Sequence, residues 1–274
     1  VRGGALAVVD ARPQGAPAGS GEPGSTVVFV PGYTGSKEDF LLLLPLVTAS
    51  GRRAVAYDQR GQHQSPGPAD HGGYAIASLA ADLLALVEAL DCGPVHVVGH
   101  SFGGLVGRAA TIAHPGAFRS LTLLGSGPGA IDGRRAEHIR LLRPILLEAG
   151  PAAVWERMAE LAEADGTSPQ PPPGIAAFLR ARFFASSPDG LREMGDQLLA
   201  ERDRVDELRA TGRPVLVAYG ERDDAWPPSV QADMAGRLAA RHVVIAGAAH
   251  SPSVEAPRAT ADALTAFWGE VESA

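Results

Sequence analysis

Short apolar runs alternate with amphipathic stretches along most of the chain. Thr26-Val27-Val28-Phe29-Val30 is continuously apolar after its first residue and is bounded by turn residues, the pattern of a strand covered on both faces. Arg53–Tyr57, Val95–Val98, Leu121–Leu124, Pro214–Tyr219 and His242–Ala246 repeat it, and Leu6–Val9 reads as an edge strand. Between these runs the period changes. From Ser78, Leu79, Leu83, Leu86, Val87 and Leu90 fall on one face of a helix. After Ser101, Phe102, Leu105, Val106, Ala109, Ile112 and Ala113 do the same. Further helices are expected over Ser229–Ala240 and Pro257–Trp268, the latter burying Leu264, Phe267 and Trp268. Strand–helix alternation predicts an α/β chain with a doubly wound, mostly parallel sheet and helices on both faces. Ala11–Ser25, rich in Pro, Gly, Ala and Ser, reads as a loop.

The alternation stops near Ala130. From there to Leu208 the pattern is helical only: Arg135–Glu148, Pro151–Ala164, Ile175–Phe184 and a last helix opened by Ser187-Pro188-Asp189 that runs to Arg209. Pro169, Pro171, Pro172 and Pro173 break it in the middle. The expected organisation is a core of residues 1–129, a helical lid of 130–208 over the active edge of the sheet, and a second core part of 209–274.

Composition narrows the class. A chain of 274 residues with 45% hydrophobic residues can bury a large core. A net charge of −7 argues against nucleic acid as a partner. The single cysteine, Cys92, cannot form an internal disulfide and reads as an inert buried thiol. No apolar run approaches a membrane span, and no signal-peptide pattern is visible, so a cytoplasmic protein is expected. His71, His96, His114, His138 and His242 show no metal-ligand spacing, and no metal or cofactor is expected. The oligomeric state cannot be read.

The candidate chemistry centres on Gly99-His100-Ser101-Phe102-Gly103-Gly104, a strand, a very tight turn and a helix start. A serine raised on such a turn sits in a strained conformation. The residues two before and two after it then come close together and must lack bulk, as Gly99 and Gly103 do. A serine hydroxyl needs a base within hydrogen-bond reach, and the base needs an orienting acid. In this sheet class both belong on loops after the C-terminal ends of strands. Asp223, with Asp224 as its rival, follows the strand ending at Tyr219. His250 follows the strand ending at Ala246, flanked by small residues.

The order Ser101, Asp223, His250 and the motifs around them resemble the α/β-hydrolase fold family over roughly residues 20–270. Gly99–Gly104 is similar to its nucleophile elbow, Gly220-x-x-Asp223-x-x-x-Pro227 to its acid loop, and Gly247-x-x-His250 to its histidine loop. Tyr57-Asp58-x-Arg60-Gly61-x-x-x-Ser65 resembles a supporting turn, with His63 where the family usually has glycine. Pro31-Gly32-Tyr33-Thr34-Gly35 corresponds to the oxyanion loop, with proline in place of histidine. The resemblance implies a catalytic Ser101–Asp223–His250 triad and oxyanion donors at the Tyr33 and Phe102 amides. It also implies a serine hydrolase acting on a small to medium, fairly apolar ester, thioester or amide. Carbon–carbon bond hydrolases, perhydrolase-type haloperoxidases and proline-releasing peptidases share these motifs, and a non-catalytic small-molecule receptor on the same fold is the reading from another class. Leu141, Leu142, Ile145, Leu146, Trp155, Met158, Phe178, Phe183 and Phe184 are apolar enough to line a pocket, though most must pack the lid. Tyr33, Trp155, Phe184 and Trp226 are the expected substrate contacts.

Overall fold

A computed structural model describes residues 4–14, 25–68, 73–165 and 171–274. Its centre is a seven-stranded sheet made of β1 (Val8–Ala11), β2 (Thr26–Val30), β3 (Arg53–Tyr57), β4 (Val95–His100), β5 (Phe118–Leu124), β6 (Val215–Gly220) and β7 (Arg241–Ile245). The order is β1-β3-β2-β4-β5-β6-β7, and only the edge strand β1 runs antiparallel. The apolar run of β2 is buried at every position because both faces are covered. Its residues divide with the pleat: Val28 and Val30 join one core, Val27 and Phe29 the other. The first core lies under α2 (Ile76–Leu90), α3 (Phe102–Ala113) and α8 (Pro228–Leu238). The second lies under α1 (Leu44–Ala49) and α9 (Pro257–Ser273), where Leu264, Phe267 and Trp268 are buried as expected.

Chain direction across the sheet reverses between β2 and β4. The loops leaving these neighbouring strands therefore part and leave a crevice at their C-terminal ends. That crevice receives both the turn after β4 and the loop after β2.

The helical stretch holds α4 (Gly133–Asp165), α5 (Pro173–Ala185), α6 (Pro188–Ala200) and α7 (Val205–Ala210). α4 turns at Gly150, whose φ of 80° only glycine adopts readily, and Pro151 opens its second half. This is the break expected between Glu148 and Pro151. The single helix expected from Ser187 to Arg209 is instead two. Glu201 turns extended, its carbonyl accepts the Ala130 amide, the Arg204 amide donates to Pro128, and Asp203 Oδ1 caps Val205 N at 2.9 Å. Tertiary bonds to the loop after β5 end that helix, which a local pattern does not reveal. α4 packs on α5 and α6, whereas α7 packs on α3 and α8. Val154, Phe183 and Leu191 form a small core of their own, with Leu142, Ile145, Leu146, Trp155 and Met158 against it. Cys92 is only half-buried. The expected loop at Ala11–Ser25 and the proline-rich break at Pro169–Pro173 fall partly outside the described residues. No helix among the described residues is long and apolar enough to cross a membrane.

Candidate active site

β4 ends at His100, and Ser101 takes φ 53°, ψ −120° before α3 begins. An L-residue rarely adopts this conformation, and it stands only where the surroundings over-determine it. The Ser101 amide donates to Leu124 O at 2.9 Å, and the Gly104 amide donates to Ser101 O at 2.9 Å. The glycines leave no alternative. A Cβ on Gly99 would meet the Gly103 carbonyl, one on Gly103 the Val30 carbonyl, and one on Gly104 the Ser126 hydroxyl.

Asp223 follows β6 and His250 follows β7, two strands paired with Gly220 opposite Ile245. A Cβ on Gly220 would strike the Ala249 carbonyl, so the acid and histidine loops lie in direct contact. His250 Nδ1 lies 2.9 Å from Asp223 Oδ1, and His250 Nε2 lies 3.0 Å from Ser101 Oγ. With the carboxylate accepting, Nδ1 carries the proton and Nε2 is free to accept from the hydroxyl. Asp223 is buried and takes further bonds from Ala225 N and Gln231 Nε2, each at 2.9 Å. The rival Asp224 points elsewhere: it is half-exposed and bonds Arg135 at 2.7 Å and Arg134 at 3.4 Å. Burial raises its pKa, but the Arg135 hydrogen bond and nearby positive charge outweigh this and keep it below the usual carboxylate range.

The loop after β2 runs beside Ser101, and a Cβ on Gly32 would sit 3.1 Å from Ser101 Cβ. Two glutamines hold it. Gln59 Nε2 donates to Pro31 O at 2.9 Å, and Gln62 Nε2 donates to Gly32 O at 2.8 Å. Sequence reading missed both, because a glutamine in a loop carries no motif; the nearby Asp58–Ser65 turn was the only pointer. Among the described residues no hydrogen bond uses the Tyr33 or Phe102 amide. The Tyr33 hydroxyl donates to Leu191 O at 2.6 Å, and burial raises its pKa. Its ring spans from the sheet to α6, where Gly195 leaves room for it. His63 has φ 42°, a left-handed conformation that suits glycine; its ring packs edge-on against Phe178 and is not part of the cavity wall.

A cavity of about 500 Å³ opens above Ser101 and His250. Ile139, Leu142, Leu146, Val154, Met158, Phe183 and the Tyr33 side chain are part of its wall. Three of the expected substrate contacts do not line it. Trp155 packs against Phe183 and Phe184 within the small helical core. Phe184 faces outward under the Arg180 guanidinium. Trp226 is buried and donates to Gly129 O at 3.2 Å, its ring 6.4 Å from that of His250, so it supports the acid loop. Large aromatics satisfy apolar burial wherever a gap exists, and pattern alone does not separate a buttress from a wall. The wall is also more charged than expected: Arg182 pairs with Asp39, Arg143 with Asp196, and Arg134 and Arg135 with Asp224.

Comparison with known proteins agrees with this architecture. The putative carbamate hydrolase RutD of Variovorax paradoxus is 37% identical over 48% of this chain and 49% of that protein, so the chain spans about half the length of this relative. RutD of Azorhizobium caulinodans is 27% identical over 82% of this chain and 84% of that one. A carboxylesterase structure from Nitrososphaera gargenis superposes with a TM-score of 0.81 at 22% identity, covering 98% of this chain and 95% of that chain. The model of the alpha/beta hydrolase family matches residues 27–263. That match runs through every parallel strand and both late loops: the chain belongs to the alpha/beta hydrolase family.

Proposed function

We propose that the protein is a serine hydrolase that cleaves esters of small to medium, fairly apolar acyl groups through an acyl-enzyme on Ser101. The observation that carries this reading is one imidazole held between Asp223 at 2.9 Å and the Ser101 hydroxyl at 3.0 Å, at the floor of the cavity. Ser101 Oγ bonds to the carbonyl carbon as its proton passes to His250 Nε2. The carbonyl electron pair moves onto oxygen, and the amides of Tyr33 and Phe102 receive it, each donor contributing on the order of 3 kcal/mol to transition-state stabilisation. The tetrahedral adduct collapses, His250 returns the proton to the leaving oxygen, and the alcohol departs. Water then repeats the cycle on the acyl-enzyme with His250 as base. Asp223 keeps Nδ1 protonated and stabilises the imidazolium. No step calls for a cofactor. The cavity volume of about 500 Å³ suits a drug-sized or smaller molecule, and Leu142, Leu146, Val154 and Met158 suit an apolar acyl chain.

A panel of p-nitrophenyl esters of increasing acyl length, run beside acyl-thioester and carbamate panels, tests the reading. Esters of short to medium chains are expected to be turned over fastest, a fluorophosphonate probe to label the protein, and Ser101→Ala to abolish both. Labelling with no turnover of any ester would replace the esterase reading by another acyl substrate. Undiminished turnover by Ser101→Ala would remove the nucleophile.

A further inference from the structure

The mechanism leaves one buried titratable group of the site unused. His100 is the last residue of β4 and directly precedes Ser101. It is 7% exposed, and its Nε2 lies 2.8 Å from the main-chain carbonyl of His250. A carbonyl only accepts, so Nε2 carries the proton and Nδ1 is bare. Nδ1 is itself buried and has no hydrogen-bond partner among the described residues. It sits 3.2 Å from the point where a side chain on Gly32 would begin, and the residue is part of the cavity wall. Burial first, and then the neighbouring His250 charge, push its pKa down to about 4. The ring is therefore neutral at neutral pH, and its Nε2–H is always present to donate.

Resting on the proposed roles of Ser101 and His250, we infer that His100 is the positioning residue for the general base: its Nε2–H holds the His250 carbonyl and so fixes where the imidazole meets Ser101. The dipeptide His100–Ser101 grips His250 at two points, one on the main chain and one on the ring. The rest of the histidine loop is held through its other residues: Arg222 donates from Nη2 to the Gly247 carbonyl at 2.8 Å and from its amide to the Ala248 carbonyl at 3.2 Å, and the Ala249 amide donates to Glu255. The loop begins at Gly247 with φ 77°, and among the described residues no backbone amide donates to the His250 carbonyl. A Cβ on Gly125 would lie 3.1 Å from that carbonyl, so it is confined between Gly125 and His100. Holding the carbonyl limits the swing of the same residue's side chain, and a displacement of about 1 Å at the reacting atoms lowers rates by roughly 100-fold. His100 is not a second base, because its bare nitrogen faces Gly32 and its protonated one is committed to a carbonyl.

Three substitutions separate this role from simple packing. A glutamine amide reaches about as far as imidazole Nε2 and restores the donor. An asparagine amide reaches only as far as Nδ1 and does not. Steady-state kinetics on p-nitrophenyl butyrate are measured for His100→Ala, His100→Asn and His100→Gln, with thermal melts of each and Ser101→Ala as control. The alanine and asparagine variants are expected to lose roughly 10- to 100-fold in kcat with KM little changed, and the glutamine variant to regain most of it. Equal rates for glutamine and asparagine, a kcat within about twofold of the parent in His100→Ala, or a loss confined to KM overturns the inference. If the alanine variant does not fold, the glutamine–asparagine pair alone decides. Ser101→Ala keeps the two readings apart. If it is inactive, a failed His100 series counts against this inference only; if it is active, the nucleophile assignment falls first.

Discussion

Ser101 shows how much of this site is set by single residues. Its strained backbone persists because three glycines let β2, β4 and α3 approach where any Cβ would meet a backbone carbonyl or a buried hydroxyl. Gly103→Ala drives a methyl into the Val30 carbonyl, and neither backbone segment yields cheaply. We expect a loss of about 1–3 kcal/mol in unfolding free energy by urea titration, together with loss of fluorophosphonate labelling. Adjacent aspartates part company at the same scale. Asp223 is buried against His250, whereas Asp224 is half-exposed against two arginines. Asp223→Asn should lower kcat by about 10⁴-fold, because the amide favours the wrong imidazole tautomer. Asp224→Asn should cost less than about tenfold, the range of an exposed ion pair. Comparable losses in both variants, measured on one ester, would reassign the acid. The resemblance to the acid-loop motif pointed to Asp223, but the physical separation of the two positions is tertiary, since the direction each side chain takes depends on where Gln231 and Arg135 lie.

At the scale of elements, the loop after β2 is held from two sides. Gln59 and Gln62 fix the carbonyls of Pro31 and Gly32 from below, and the Tyr33 hydroxyl ties the loop to α6 above. Gln62→Leu takes the side-chain donor from the buried Gly32 carbonyl, leaving it the Gly35 amide at 3.1 Å, and takes the side-chain acceptor from the buried Gln59 amide. The expected result is a fall in kcat of about tenfold or more with little change in KM, together with a loss of about 1–3 kcal/mol in stability. Tyr33→Phe removes a single neutral bond worth about 1 kcal/mol and should lower Tm by about 2–4 °C. Any added loss in kcat would show that the tie to α6 helps position the loop after β2. The supporting turn was legible as a motif, but its glutamines were not. Their role exists only because the loops after β2 and β3 end side by side. Trp155 and Trp226 failed as pocket candidates for the same reason: each is apolar in sequence, and only the packing of α4 and the acid loop shows that it faces inward.

At the scale of the whole molecule, the C-terminal helix is fastened to the sheet by a polar cluster, buried on the side of His96 and Ser120, at the end opposite Ser101. His96 Nδ1 lies 2.7 Å from Ser120 Oγ and its Nε2 lies 3.1 Å from Glu272, which also pairs with Arg52 and bonds Ser25. Burial lowers the pKa of His96 to about 4. Burial alone raises that of Glu272, but its bonds from Arg52 and Ser25 prevail and bring it to about 2. In the unfolded chain the histidine takes up its proton more readily than in the fold, so its stabilising contribution is present above about pH 6.5 and is lost as pH falls toward 4. That of Glu272 is lost at still lower pH, from about 4.5 toward 2. Calorimetry should therefore show Tm falling between pH 6.5 and 4, and His96→Gln should flatten that slope. An unchanged slope would place the acid sensitivity elsewhere.

The strand–helix alternation and the glycine-lined serine turn were present in the linear pattern, because periodicity and backbone crowding are local and each acts within a few residues; the order of serine, aspartate and histidine was legible through its resemblance to the family's motifs. The contact of Ser101 with His250, 149 residues away, came only from folding, as did the separate partners of Asp223 and Asp224, the bond between His100 and the His250 carbonyl and the charged cavity wall. These depend on which loops the strand order brings to one edge of the sheet. That arrangement is the outcome of burying both of its faces at once.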